Sequence, residues 1–129
     1  MRGDAQLWLA YAEENLACAR LVLRNGYFNP CLQNVQQAVE KALKALILEE
    51  GLEFRRTHSI SELNSILAAT GVAAGLTGDE CDLLDSIYLP SKYPLGSALP
   101  DAEPDAETCN VCIEIAARVV SNVRQALGV

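Results

Sequence analysis

The segment Gln36-Gln37-Ala38-Val39-Glu40-Lys41-Ala42-Leu43-Lys44-Ala45-Leu46 constrains this chain more than any other. Val35, Val39, Ala42, Leu43 and Leu46 recur at the 3.6-residue period of an α-helix, and the residues between them are strong helix formers. An apolar stripe of that kind must be buried against stripes like itself, and the rest of the chain supplies them. Trp8, Ala12, Leu16, Ala19 and Leu23 share one face of a helix expected from about Asp4 to Asn25. Ile60, Leu63, Ile66 and Leu67 mark a third helix, and Leu83, Leu84 and Ile87 a fourth from about Asp79 to Leu89. Val111, Ile115, Val119 and Val123, flanked by Val120 and Leu127, mark a last helix from about Asp105 to Leu127.

The punctuation agrees with these helices. Asp4 is placed to cap the first, and Asn25-Gly26 to stop it. Asn29-Pro30 starts the second, with proline in the first turn where its missing N–H costs nothing, and Gly51 ends it. The short link between them predicts an antiparallel pair. Ser59 and Glu62 have the spacing of a capping box at the start of the third helix, which begins near Ser59 or Ser61 and stops near Gly71. Pro90, Pro94, Pro100 and Pro104, with Gly96 between them, predict a long loop, and long loops in compact domains tend to be functional or disordered. The expected fold is all-α, an up-and-down four-helix bundle with one additional short helix, five helices in all. With no repeat and no boundary signal, residues 1–129 form one domain.

A chain of 129 residues can bury a true core. Its formal net charge of −7 argues against a general nucleic-acid coat but not against a local basic patch. Acids concentrate at Asp79–Asp85 and Asp101–Glu107; bases gather around Arg20, Arg24, Lys41, Lys44, Arg55, Arg56 and Lys92. The N-terminus lacks a signal-peptide pattern, and no apolar run approaches membrane-spanning length. Five irregularly spaced cysteines suit free thiols in a soluble protein of a reducing cytoplasm. Cys109-x-x-Cys112 is half a zinc motif without its other half, so buried or half-buried thiols are expected there and no metal.

Gln37, Lys41 and Lys44 follow i, i+4, i+7 spacing beside the apolar stripe. Glu40 and Lys44 are also four apart, acid first, which as an intrahelical ion pair contributes only about 0.3–0.5 kcal/mol. Downstream, Arg55-Arg56-Thr57-His58 leads into the third helix and contains the only histidine. A helix N-terminus there offers N–H groups to an anion. Ser91-Lys92-Tyr93-Pro94 opens the proline-rich stretch with a ring and a cation side by side, suited to stacking a base and touching a phosphate. No phosphate-cradling glycine loop, nucleophile elbow or paired Cys/His motif is present.

Several blocks recur together here: Ala12-Glu13-Glu14-Asn15-Leu16-x-x-Ala19, Gly26-Tyr27, Gln36-Gln37-Ala38-x-Glu40-Lys41-x-x-Lys44-Ala45, Thr57-His58-x-Ile60-x-x-Leu63, Tyr93-Pro94 and a final Ala/Val-rich helix. With that arrangement most of the chain resembles the HEPN (higher eukaryotes and prokaryotes nucleotide-binding) domain family. The resemblance implies a short helical bundle that is commonly a homodimer and is often encoded beside a minimal nucleotidyltransferase. A large branch consists of metal-independent ribonuclease toxins, whose motif is an arginine, four to six residues, then a histidine. This chain departs from that motif. Leu52, Glu53 and the nearby Phe54 supply no arginine at the required distance before His58, and Arg55 and Arg56 are too close. At Tyr93, Lys92 stands where an arginine is expected, and no histidine follows.

The expectation is therefore a non-catalytic HEPN module, dimeric, that binds a nucleotide or RNA, a minimal nucleotidyltransferase partner, or both. Its candidate ligand-facing residues are Gln37, Lys41, Lys44, Thr57, His58, Lys92 and Tyr93. No cofactor, metal, membrane or DNA-specific interaction is expected. The alternatives are a ribonuclease toxin of a toxin–antitoxin pair, using His58 with a distant arginine, and a purely structural homodimer.

Overall fold

Thirteen of the 22 residues of the second helix are buried, and the other helices are arranged around it. The structure, a computed structural model, describes residues 3–54, 56–92 and 104–129, with the backbone alone at 88–92. The helices are α1 (Asp4–Arg24), α2 (Phe28–Glu49), α3 (Ile60–Ala69), α4 (Gly78–Lys92) and α5 (Ala106–Leu127), and no strand occurs among the described residues. α2 packs against each of the others, most extensively against α1, while α1 also meets α5 and α3 meets α4. The three-residue connection Asn25–Tyr27 forces α1 and α2 antiparallel. Gly26 makes the turn with φ of 81°, a conformation that costs a side-chain-bearing residue dearly.

The expected stripes form the core. Ala12, Leu16 and Ala19 of α1 are buried with Val35, Val39, Ala42, Leu43 and Leu46 of α2; Ile60, Leu63 and Leu67 of α3, Leu84 and Ile87 of α4, and Ile115, Val119, Val120 and Val123 of α5 complete it. Leu9, rather than Trp8, is the first deeply buried residue of α1. Val111 departs further from expectation, because it faces solvent with 45% of its surface exposed.

Helix ends differ in detail. Gly3, not Asp4, is the N-cap of α1, so Asp4 acts through its charge in the first turn. α2 begins at Phe28, before Asn29, with no side-chain cap. α4 runs on through Pro90 to Lys92 instead of ending at Leu89; a proline late in a helix forfeits one N–H bond, and the preceding turns are already formed. Asp105 caps α5, its carboxylate accepting the Thr108 N–H at 2.8 Å.

Candidate functional site

A helix buried on most sides has little room for polar residues, yet α2 carries three in a row. Gln36, Glu40 and Lys44 stand at i, i+4 and i+8, and they are the only buried polar or charged residues among the described ones. Lys44 Nζ lies 2.9 Å from Glu40 Oε2, with side-chain exposures of 7% and 10%. Gln36 Nε2 donates to Glu40 Oε1 at 3.4 Å and to the backbone carbonyl of His58 at 3.1 Å. His58 Nδ1 is 3.1 Å from both oxygens of Glu40. A carboxylate only accepts, so Nδ1 carries the proton that faces Glu40. Glu40 is thus the hub: it neutralises a buried ammonium and orients an imidazole whose side chain is 62% exposed.

Aromatic rings enclose the lysine end of this row. Lys44 Nζ lies 5.7 Å from the Trp8 ring centre and 5.6 Å from that of Phe54, and the two rings are 5.6 Å apart. Desolvated cation–π contacts of this kind help hold a buried ammonium. Lys44 therefore faces inward, where a free ligand-facing cation was expected. Lys41 occupies a second polar cluster, donating to Asn15 Oδ1 at 2.8 Å and lying 6.0 Å from the Tyr11 ring centre. Asn15 Nδ2 in turn reaches Asn34 Oδ1 at 3.0 Å and, more weakly, Gln37 Oε1 at 3.5 Å.

The start of α3 is already occupied by an anion of the protein's own. The Asp85 carboxylate, from α4, accepts the N–H groups of Ile60 at 2.6 Å and Ser61 at 3.0 Å, and the Ser59 hydroxyl at 3.2 Å. Ser59 Oγ accepts the Glu62 N–H, as the capping box requires, and Thr57 Oγ1 accepts the Ser59 N–H. The N–H groups expected to receive a ligand phosphate there are thus satisfied internally, and Thr57 serves the turn. Of the remaining candidates, Lys92 is the last residue of α4, with its side chain outside the described atoms, and Tyr93 lies outside the described residues.

Comparison with known proteins identifies this architecture. The family model for the HEPN domain matches residues 5–126. The chain belongs to the HEPN family. Two solved structures resemble it over nearly their whole length. The archaeal HEPN homologue ST0689 is 28% identical with a TM-score of 0.72, covering 97% of this chain and 98% of that one. TT1696 from Thermus thermophilus is 29% identical with a TM-score of 0.78, covering 96% and 98%. The Methanocaldococcus jannaschii protein named Putative toxin MJ1304 is 39% identical over 57 residues, which is 44% of this chain. The match spans only 37% of that relative's length.

Two features of this HEPN domain were not legible in its sequence motifs. Glu40 reads as the partner of Lys44, four residues away, whereas it also holds His58, eighteen residues on. Asp85 reads as one acid of a helix and is the cap of another.

The cysteines bear out the expectation of buried thiols. Cys31, Cys109 and Cys112 are fully buried where α2 meets α5, and Cys81 is buried on α4, while Cys18 is exposed. Burial, followed by the neighbouring Cys109, pushes the Cys31 thiol from 9.0 to about 12. Burial likewise pushes Cys112 to about 11. A thiol-specific reagent should titrate Cys18 promptly in native protein, and the other four thiols only on unfolding. The raised values also set a sign for alkaline stability. Above pH 9 the unfolded chain releases thiol protons that the folded one keeps, so stability should be intact below pH 9 and fall as pH approaches 11–12. Urea melts at pH 8 and pH 10.5 check this, with Cys31→Ala expected to flatten the decline.

Proposed function

We propose that this HEPN domain binds single-stranded RNA without cutting it, as one half of a toxin-like pair. The observation that carries the reading is the edge where α1 meets α2 and the α2–α3 loop. Tyr11 and Phe54, 44% and 37% exposed, stand there with Trp8, Lys41 and His58. Arg56, also exposed, lies in the same loop. Rings stack bases and cations contact the backbone, a combination that tolerates many sequences. The acidic charge of the chain limits such binding to this patch. The relative named as a toxin supports the pairing; a homodimer and a nucleotidyltransferase partner belong to the same reading.

What speaks against cleavage is the arrangement of the cations. Acid–base cleavage of a phosphodiester needs a proton carrier and a cation that meets the developing charge. Lys44 is buried behind Glu40, committed to the carboxylate that orients His58. The rival reading, a metal-independent ribonuclease toxin, draws on the Glu40–His58 pair itself, since a carboxylate-oriented imidazole is also what a general base requires.

Trp8 is the chain's single tryptophan, so its emission reports on the patch directly. Titration with a short oligoribonucleotide, with ATP and GTP in parallel, should quench it saturably. Tyr11→Ala should weaken binding roughly 5- to 150-fold, the equivalent of one lost stacking contact. The RNA should remain intact on a gel without added metal. Absence of quenching and of any Tyr11→Ala effect sinks the binding reading. Metal-independent cleavage abolished by His58→Ala establishes the ribonuclease instead.

A further inference from the structure

Helices α4 and α5 both lean on α2 and hardly meet each other. Between them runs an open groove of about 300 Å³. Its floor is apolar: Leu83 from α4, and Val111 and Ile115 from α5. Ile115 is buried and Leu83 half-buried, but Val111 is 45% exposed on the same helix face that buries Ile115 one turn on. This is the residue whose spacing marks it for the core and whose neighbours leave it uncovered.

The rim of the groove has one dominant sign. Asp79 and Glu80 stand on the α4 side and Glu114 on the α5 side, with Arg118 as the single cation. Arg118 is already used: its guanidinium lies 2.6 Å from Glu80 Oε1, and its Nε donates to the Gly75 carbonyl at 3.0 Å. That contact holds the Glu80 carboxyl below its ordinary range. Among the described residues neither Asp79 nor Glu114 meets a cation, and Glu107, one turn before Val111, adds a further exposed acid. The groove therefore offers an apolar strip flanked on both sides by uncompensated carboxylates. A second copy of this acidic chain is a poor electrostatic match for it.

We propose that the α4–α5 groove is a docking site for a basic amphipathic helix of a partner protein, with an apolar residue seated on Val111 and Leu83 and lysines or arginines one turn away facing Glu114 and Asp79. A helix lying in a groove between two others is a recurrent recognition mode, in which spaced apolar anchors are flanked by charge that selects the partner. The groove shares no residue with the Tyr11–Phe54 patch, so it stands or falls independently of RNA binding.

The test uses the full chain and a fluorescein-labelled 14-residue peptide built from leucine, alanine and lysine with leucines at i, i+4, i+7 and lysines flanking them. A second peptide with each lysine replaced by glutamate serves as the control. The basic peptide should bind with a Kd that weakens several-fold between about 0.05 and 0.5 M salt as screening shortens the Debye length. The acidic peptide should not bind. Val111→Asp and Glu114→Lys should each weaken binding about tenfold or more. Both positions are exposed, so thermal melts should be unchanged. A Tyr11→Ala protein should bind the peptide normally. Equal affinity for both peptides, no binding of the basic one, or indifference to Val111→Asp and Glu114→Lys overturns the proposal. So does a homodimer, seen by light scattering, that Val111→Asp dissociates.

Discussion

Glu40→Ala should destabilise this protein by about 3–5 kcal/mol, the cost of stranding a buried charge. For a domain of this length that corresponds to a fall in melting temperature of roughly 10–20 °C. The loss exceeds that of an exposed ion pair because Lys44 Nζ, at 7% side-chain exposure, would keep only the faces of Trp8 and Phe54 as partners. His58 would lose the acceptor that fixes its ring, and Gln36 one of its two acceptors. The double variant Glu40→Ala/Lys44→Met should be less damaging than Glu40→Ala alone, since removing both charges removes the stranded one. Calorimetric melts of the two variants decide between a charge-balanced hub and an incidental pair. A double variant that melts below the single one shows that the ammonium contributes stability without the carboxylate. The Trp8 emission spectrum should shift in Glu40→Ala as its cation is released.

The bundle was legible because its information is local. Each helix declares itself by a 3.6-residue stripe, and four of the five stripes are buried in nearly the predicted register. Val111 fits the period and still faces solvent, because burial needs a neighbour on that side, and α4 packs on α2 rather than on α5. The candidate site was half legible. The sequence singled out Lys41, Lys44, Thr57 and His58 as polar residues in unusual places, and the structure ties two of them, Lys44 and His58, to one carboxylate, Glu40. Their roles were not readable. Lys44 looked like a surface cation because i, i+4 pairing with Glu40 is normally a solvent-side feature; only the packing of Trp8 and Phe54 over it makes the pair internal. His58 looked like an anion-site residue because it precedes a helix N-terminus. Nothing local to residues 57–62 announces that a carboxylate from α4 already fills that position.

That carboxylate makes the second large effect. Asp85→Ala should cost about 2–4 kcal/mol, because two backbone N–H groups and one hydroxyl lose a charged acceptor at once, and hydrogen bonds to charged groups are worth about 1.5–3 kcal/mol each without being additive. The bond from Ile60 is the shortest of the three, at 2.6 Å, and Ile60 is fully buried, so water reaches the orphaned N–H only if the turn opens. Opening it has a consequence upstream. The loop between α2 and α3 is tied at two successive residues, His58 through its carbonyl to Gln36 and Ser59 through its hydroxyl to Asp85. Cutting the second tie should loosen the first, raising amide exchange at Ile60 and Ser61 and weakening the Glu40–His58 contact. Asp85→Asn keeps an acceptor oxygen and should recover about half of the loss. Ser59→Ala removes one local cap and should cost only about 1 kcal/mol. If Asp85→Ala melts within a degree or two of the parent, α3 is held by its apolar face alone and the carboxylate is dispensable. If instead it melts early with exchange confined to residues 57–62, the cap fixes the loop that carries His58, and RNA affinity measured through Trp8 should fall in the same variant.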